Sequence, residues 1–155
     1  MDITNLQTEL ESAIERHHVV GASIAVFYKD AVTTATAGVA NVTTGVDMTP
    51  ETLIHINSIT KVFNATLIMQ LVDEGLVGLD DPIIQYLPDF KLQDSTASKT
   101  ITVKMLLNHT SGIDGDLIPD YGHDEETIKK AIIRFGSMGQ IHKPGTHFSY
   151  CNAGS

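Results

Sequence analysis

Tryptophan is absent from this chain and cysteine occurs once, at Cys151, so no internal disulfide framework can brace it and a reducing compartment is compatible. Basic side chains are also scarce: 10 Lys and Arg against 19 Asp and Glu give a formal charge of -9. A surface of that sign repels phosphate backbones and anionic lipid, which sets nucleic acid and membranes aside as partners. No apolar run reaches the roughly 18 residues of a membrane span. Met1-Asp2-Ile3-Thr4-Asn5 has neither the basic nor the apolar character of a leader, and the reading is a soluble, cytoplasmic protein, with a periplasmic or secreted one as the alternative. Seven histidines are present, yet there is no His-Glu-x-x-His, and the adjacent His17 and His18 cannot face one ion from a helix. His142 and His147 merely flank a Pro-Gly turn, so no metal is expected. What is present is 155 residues, 42% of them hydrophobic, enough for one domain with a packed core.

Leu6, Leu10, Ala13, Ile14 and His17 recur at helical spacing. They predict an opening amphipathic helix from Thr4 to His18, with Thr4 and Gln7 as a capping box and an end near Gly21. Two runs rich in Val, Ala, Ile and Thr, Ala22 to Tyr28 and Ala31 to Ala40, are separated by Lys29-Asp30 and predict two antiparallel strands. Ser58 to Glu74 is apolar around most of a helical circumference and is expected to be a buried helix stopped at Gly75. A short helix is expected from the Asp80-Asp81-Pro82 start through Tyr86. Others are expected from Thr102 through Asn108, closed by Gly112, and from Asp124-Glu125-Glu126 to Gly136. The polar stretch Gln93 to Lys99 reads as a loop.

Ser58-Ile59-Thr60-Lys61 opens the most apolar of these helices, and Tyr150-Cys151-Asn152 stands near the end of the chain. A serine three positions before a lysine on a helix shares a face with the amine, which can take or hold the hydroxyl proton. Negative charge at a helix start is stabilised by unpaired N–H groups and the helix dipole. On an apolar helix the amine is expected to lose hydration, which favours its neutral, proton-accepting form. Tyr150 adds a second proton-transfer group, because a phenolate is stabilised beside an ammonium. In an extended segment Asn152 faces the same side as Tyr150 and offers an amide to a substrate carbonyl. Cys151 points the other way, which favours a buried structural thiol over a nucleophile paired with His147. Taken singly, each motif also fits a plain reading, with Ser58 as a helix cap, Tyr150 as a packed aromatic and Asn152 as a turn residue.

The surrounding residues resemble the serine beta-lactamase family, in its class C branch with esterase and D-aminopeptidase relatives. The resemblance runs through His55-Ile56-Asn57-Ser58-Ile59-Thr60-Lys61-Val62-Phe63-Asn64-Ala65, Gln70-Leu71-Val72-Asp73-Glu74-Gly75, Leu79-Asp80-Asp81-Pro82 and Tyr86-Leu87-Pro88. It continues in Leu106-Leu107-Asn108-His109-Thr110-Ser111-Gly112, Pro144-Gly145-Thr146 and Phe148-Ser149-Tyr150-Cys151-Asn152. It implies Ser58 as the acylated nucleophile, Lys61 as its proton partner, Tyr150 as general acid and base, and Asn152 as a substrate-orienting amide. It implies no metal and no organic cofactor. His109 to Gly112 belongs to the same pattern and reads as a helix-ending turn, with Ser111 not a nucleophile.

The fold implied is α/β of the α+β type: an antiparallel sheet flanked by helices plus a helical subdomain, incomplete in this chain. Residues 1–155 would be the N-terminal portion of one such domain, with a helix and first strands in 1–50 and a mostly helical region in 51–155. The family's third motif, Lys-Thr-Gly or His-x-Gly on a strand beside the serine, has no counterpart here. The expectation is therefore a serine hydrolase working through an acyl-serine on a small-molecule acyl substrate, either a beta-lactam, an ester or a D-amino-acid peptide. The activity would need a complementary C-terminal segment or second chain. The alternatives are a penicillin- or peptide-binding module acylated without turnover, and a subunit of a split protein.

Overall fold

Gly21–Tyr28 (β1) and Ala31–Asn41 (β2) place β-branched and small residues on a pleated pair, and the two strands are antiparallel with Tyr28 opposite Ala31 and Gly21 opposite Gly38. Lys29 and Asp30 between them both adopt left-handed φ, 48° and 62°, as a two-residue turn matched to the twist of its strands requires. A third strand not expected from the sequence, Val46–Asp47 (β3), pairs with the other edge of β2 through an irregularity between Val39 and Asn41. The structure, a computed structural model, describes residues 5–115, 120, 122 and 124–154. It divides into two units, Met1–His55 and Ile56–Ser155.

Leu6–Arg16 (α1) completes the first unit. Thr4, half of the expected capping box, lies outside the described residues. Its partner Gln7 does something else: its amide donates to the Thr36 carbonyl at 2.8 Å, and its carbonyl accepts the Thr36 N–H at 3.2 Å. One side chain thus satisfies both backbone groups of a β2 residue where β3 does not reach, which blunts an open sheet edge. The helix ends earlier than Gly21, because His18 turns left-handed at φ 53° and Val19 N–H closes onto the Ile14 carbonyl. Gly21 instead begins β1.

In the second unit, a 3₁₀ turn over Asn57–Ile59 runs into Thr60–Asp73 (α2), and Gly75 at φ 73° ends it. No residue of α2 is buried: Val62, Phe63 and Leu67 are 66, 60 and 58% exposed. This corrects the expected burial, since an all-round apolar helix needs cover on every side and α2 has none over these residues. The core lies elsewhere. Phe90, Leu92, Ala97, Ile101, Ile113, Met138 and Cys151 pack together, with Ile83, Met105, Leu106 and Phe135 against them.

That core explains a second correction. Gln93–Lys99, expected as a loop, contains most of Ser95–Thr100 (α3). The Asp94 carboxylate caps it, accepting from Thr96 N–H and Ala97 N–H, and Ala97 and Ser98 are buried on its inner side. The Ser98 hydroxyl accepts Leu92 N–H and donates to the Asp94 carbonyl, so its polarity is used within the core. Thr102 caps Val103–Leu107 (α4) through Met105 N–H, as expected. The expected helix after Pro82 is a single 3₁₀ turn, Ile83–Gln85. Thr127–Arg134 (α5) continues into a 3₁₀ turn over Phe135–Ser137. Among the described residues no helix is long and apolar enough to cross a membrane.

Candidate active site

Asn57, immediately before the serine, holds a left-handed φ of 47°, a conformation asparagine tolerates better than most residues. It swings Ser58 into the 3₁₀ turn at the mouth of α2 rather than onto the helix wall. The cap positions of that turn and of α2 are taken by Ile56 and Ile59, neither of which offers a capping side chain. The Ser58 hydroxyl is engaged instead by Tyr150, whose Oη donates to Ser58 Oγ at 2.8 Å.

Tyr150 reaches the serine because its segment is laced to residues 109–115 by alternate amides. Ser149 N–H donates to the His109 carbonyl at 2.9 Å, Cys151 N–H to the His109 ring at 3.3 Å, and Ala153 N–H to the Gly115 carbonyl at 3.0 Å. The alternation expected of this segment follows. Cys151 enters the core at 2% exposure, while Tyr150 and Asn152 turn to the other side.

Lys61, one turn into α2, donates from Nζ to Asn152 Oδ1 at 3.2 Å, and the same ammonium stands 5.1 Å from the centroid of the Tyr150 ring. All four residues singled out by the sequence therefore meet. Hydroxyl and phenol share one hydrogen bond, ammonium and amide share another, and the lysine charge lies over the phenol ring. The O–O distance serves proton travel in either direction, and the positive charge favours electron density on the phenol oxygen.

The sequence reading missed His109, which it placed only in a turn. Its backbone is left-handed at φ 59° and its ring lies on that of Tyr150, centroids 4.4 Å apart and planes 33° from parallel. Burial, and then the Lys61 charge, hold its pKa below the ordinary histidine value. The signal was present in the stretch His109-Thr110-Ser111-Gly112, which closes the turn after α4. Ser111 is buried at 1% exposure, and Gly112, at φ 73°, leaves no room for a Cβ beside the His142 carbonyl. Among the described residues no cluster of His, Cys, Asp and Glu could hold a metal ion.

The beta-lactamase family model matches residues 6–155, and the chain belongs to that family. It is similar to penicillin-binding protein 4 of Amycolatopsis lactamdurans, 36% identical over 153 residues that make up 99% of this chain and 40% of that protein. Among solved structures it is similar to the D-amino acid amidase of Ochrobactrum anthropi SV3 complexed with D-phenylalanine. The TM-score there is 0.78, with 30% identity and coverage of 99% of this chain and 42% of that one. A class C beta-lactamase from Rhodobacter sphaeroides follows at TM-score 0.68 and 25% identity, covering 97% and 41%. The fold is the beta-lactamase-like one, represented here by helices and a three-stranded antiparallel sheet. The chain spans about two fifths of the length of these relatives.

Proposed function

We propose that this chain carries the acylating part of a serine hydrolase site. Ser58 attacks an acyl carbonyl while Tyr150, as the phenolate that the Lys61 ammonium stabilises, takes the hydroxyl proton and then returns it to the leaving group, and Asn152 orients the substrate. The observation that carries the reading is the 2.8 Å hydrogen bond from Tyr150 to Ser58, made across 92 positions of sequence and beside the Lys61 ammonium. A plain helix cap and a packed surface aromatic have no reason to meet in this way.

The substrate class is a small acyl compound with a good or strained leaving group: a beta-lactam, a short ester, or a peptide or amide of a D-amino acid. The similarity to a penicillin-binding protein and to a D-amino acid amidase supports that range. No metal and no organic cofactor takes part in this reading. Residues 1–155 are proposed as the N-terminal portion of one beta-lactamase-like domain, completed by a C-terminal segment or second chain that would supply the third motif. A cytoplasmic location is proposed on the lone, buried Cys151, which suits a reducing compartment.

The test is turnover by the chain alone and with a complementary C-terminal segment, on a chromogenic cephalosporin, a p-nitrophenyl ester and a D-amino-acid amide. Sustained release that vanishes in Ser58→Ala supports the hydrolase. Release of one equivalent or less marks an acyl trap without turnover, and release unaffected by Ser58→Ala refutes the assignment.

A further inference from the structure

We propose that His109, as a neutral ring protonated on Nε2, is the positioning residue that sets Tyr150 against Ser58, and that protonation of His109 withdraws Tyr150 from the serine. The inference rests on the acyl-transfer reading above and adds to it a residue and a pH response.

His109 grips the chain on both sides of Tyr150. Its carbonyl accepts the Ser149 N–H at 2.9 Å and its Nδ1 faces the Cys151 N–H at 3.3 Å. A backbone amide can only donate, so Nδ1 must be the lone-pair nitrogen and the proton of the neutral ring sits on Nε2. Between these two anchors the imidazole lies against the phenol ring at 4.4 Å, while Phe148 meets the same imidazole edge-on at 5.9 Å and 85°. The phenol is thereby fixed in position and in tilt before any substrate arrives.

The same contacts make the arrangement sensitive to acid. Adding a proton to Nδ1 turns an acceptor into a donor aimed at another donor, and it places a second positive charge near Lys61 of α2. The other titratable groups on the surrounding segments are Tyr150 and Cys151 themselves, Asp114, Lys104 of α4, which turns to Asp80 at 3.6 Å, His142 and Lys143, and His147, whose Nδ1 is bonded to Thr146 Oγ1. Burial and the Lys61 charge lower the ring's pKa, which keeps the neutral form dominant at neutral pH.

Two readouts on the full 155-residue chain test this. In an NMR pH titration, His109 should show the Nε2–H tautomer, and the Cys151 amide and Tyr150 ring signals should move with His109 at one midpoint below the ordinary value of about 6.5. A proton on Nδ1, or Cys151 and Tyr150 signals indifferent to the His109 titration, overturns the proposal without any appeal to activity. In the second readout, Ser58 is labelled with a fluorophosphonate across pH. His109→Leu should slow labelling by on the order of tenfold to a hundredfold through misplacement of Tyr150. His109→Asn, which keeps an acceptor near the Nδ1 position but does not titrate, should recover part of that rate and lose the acid limb. Both variants labelling at the wild-type rate with an unchanged pH profile would overturn the proposal. A wild-type chain whose Ser58 labels neither alone nor with the complementary C-terminal segment removes the acyl-transfer reading alone, and the NMR titration still decides the role of His109.

Discussion

The Tyr150 hydroxyl donates to Ser58 Oγ over 2.8 Å, and the proposed transfer reverses that donation once the phenol has lost its proton, so the residues that matter to the proposal are those that set the charge and position of the phenol oxygen. Tyr150→Phe keeps the ring, its stack on His109 and its place over Lys61, and deletes only the oxygen. Acylation of Ser58 in a complete enzyme is expected to slow by roughly 10²–10⁴-fold, read from intact-mass time courses; an unchanged rate would remove Tyr150 from proton transfer. Lys61→Ala is expected to act in the same direction, by taking the positive charge from the phenol ring and the partner from Asn152. Ser111, although it stands in the family pattern, should never label in the native chain, because at 1% exposure its hydroxyl is sealed in the core.

At the scale of the element, α3 and α5 offer separate tests of how local chemistry builds the frame. Asp94→Ala removes the carboxylate that accepts two α3 N–H groups, and the cost should be about 1 kcal/mol in urea unfolding. No measurable change would mean that burial of Ala97 and Ser98 alone holds the helix. On α5, the Asp124 carboxyl is held below its usual value chiefly by Lys130, whose Nζ donates to both oxygens at 3.1 and 2.8 Å. A depressed carboxylate contributes stability that is full above its unfolded value near 3.9 and is lost as pH falls through the lower folded value. Lys130→Ala should flatten that acid-side loss, with melts compared across pH 5 to 2. The hairpin of β1 and β2 and the helix capped by Thr102 were legible in the sequence, because period, turn and cap are written in neighbouring residues. Motif spacing also singled out Ser58, Lys61, Tyr150 and Asn152, which the structure brings together. β3 and α3 were not legible, being two residues of strand and six mostly polar residues whose formation depends on an irregular β2 edge and on a core made by distant segments. His109 escaped because its contact with Tyr150 is a stack across 41 positions of chain, which no local pattern encodes.

For the molecule as a whole, the unusual quantity is the exposed apolar surface of α2, with a cavity of about 480 Å³ beside it lined by Leu67, Ile68, Leu71, Leu106 and Leu107. A well-packed interior leaves no such void, so α2 is proposed to receive further cover in the assembled protein. Phe63→Ser tests this. At 60% exposure, Phe63 should change the stability of the 155-residue chain by no more than about 0.5 kcal/mol. In the chain joined to its complementary segment, the loss should approach the roughly 3–5 kcal/mol of a truncated core aromatic. Equal small effects in both would argue against such cover. The central claim is narrower and is tested most directly on the chain joined to its complementary C-terminal segment, by intact-mass analysis with peptide mapping after exposure to a fluorophosphonate or penicillin. The account predicts a single adduct on Ser58 that is absent from Ser58→Ala. An adduct that persists in that variant or maps to another residue, or no adduct at all, would contradict it.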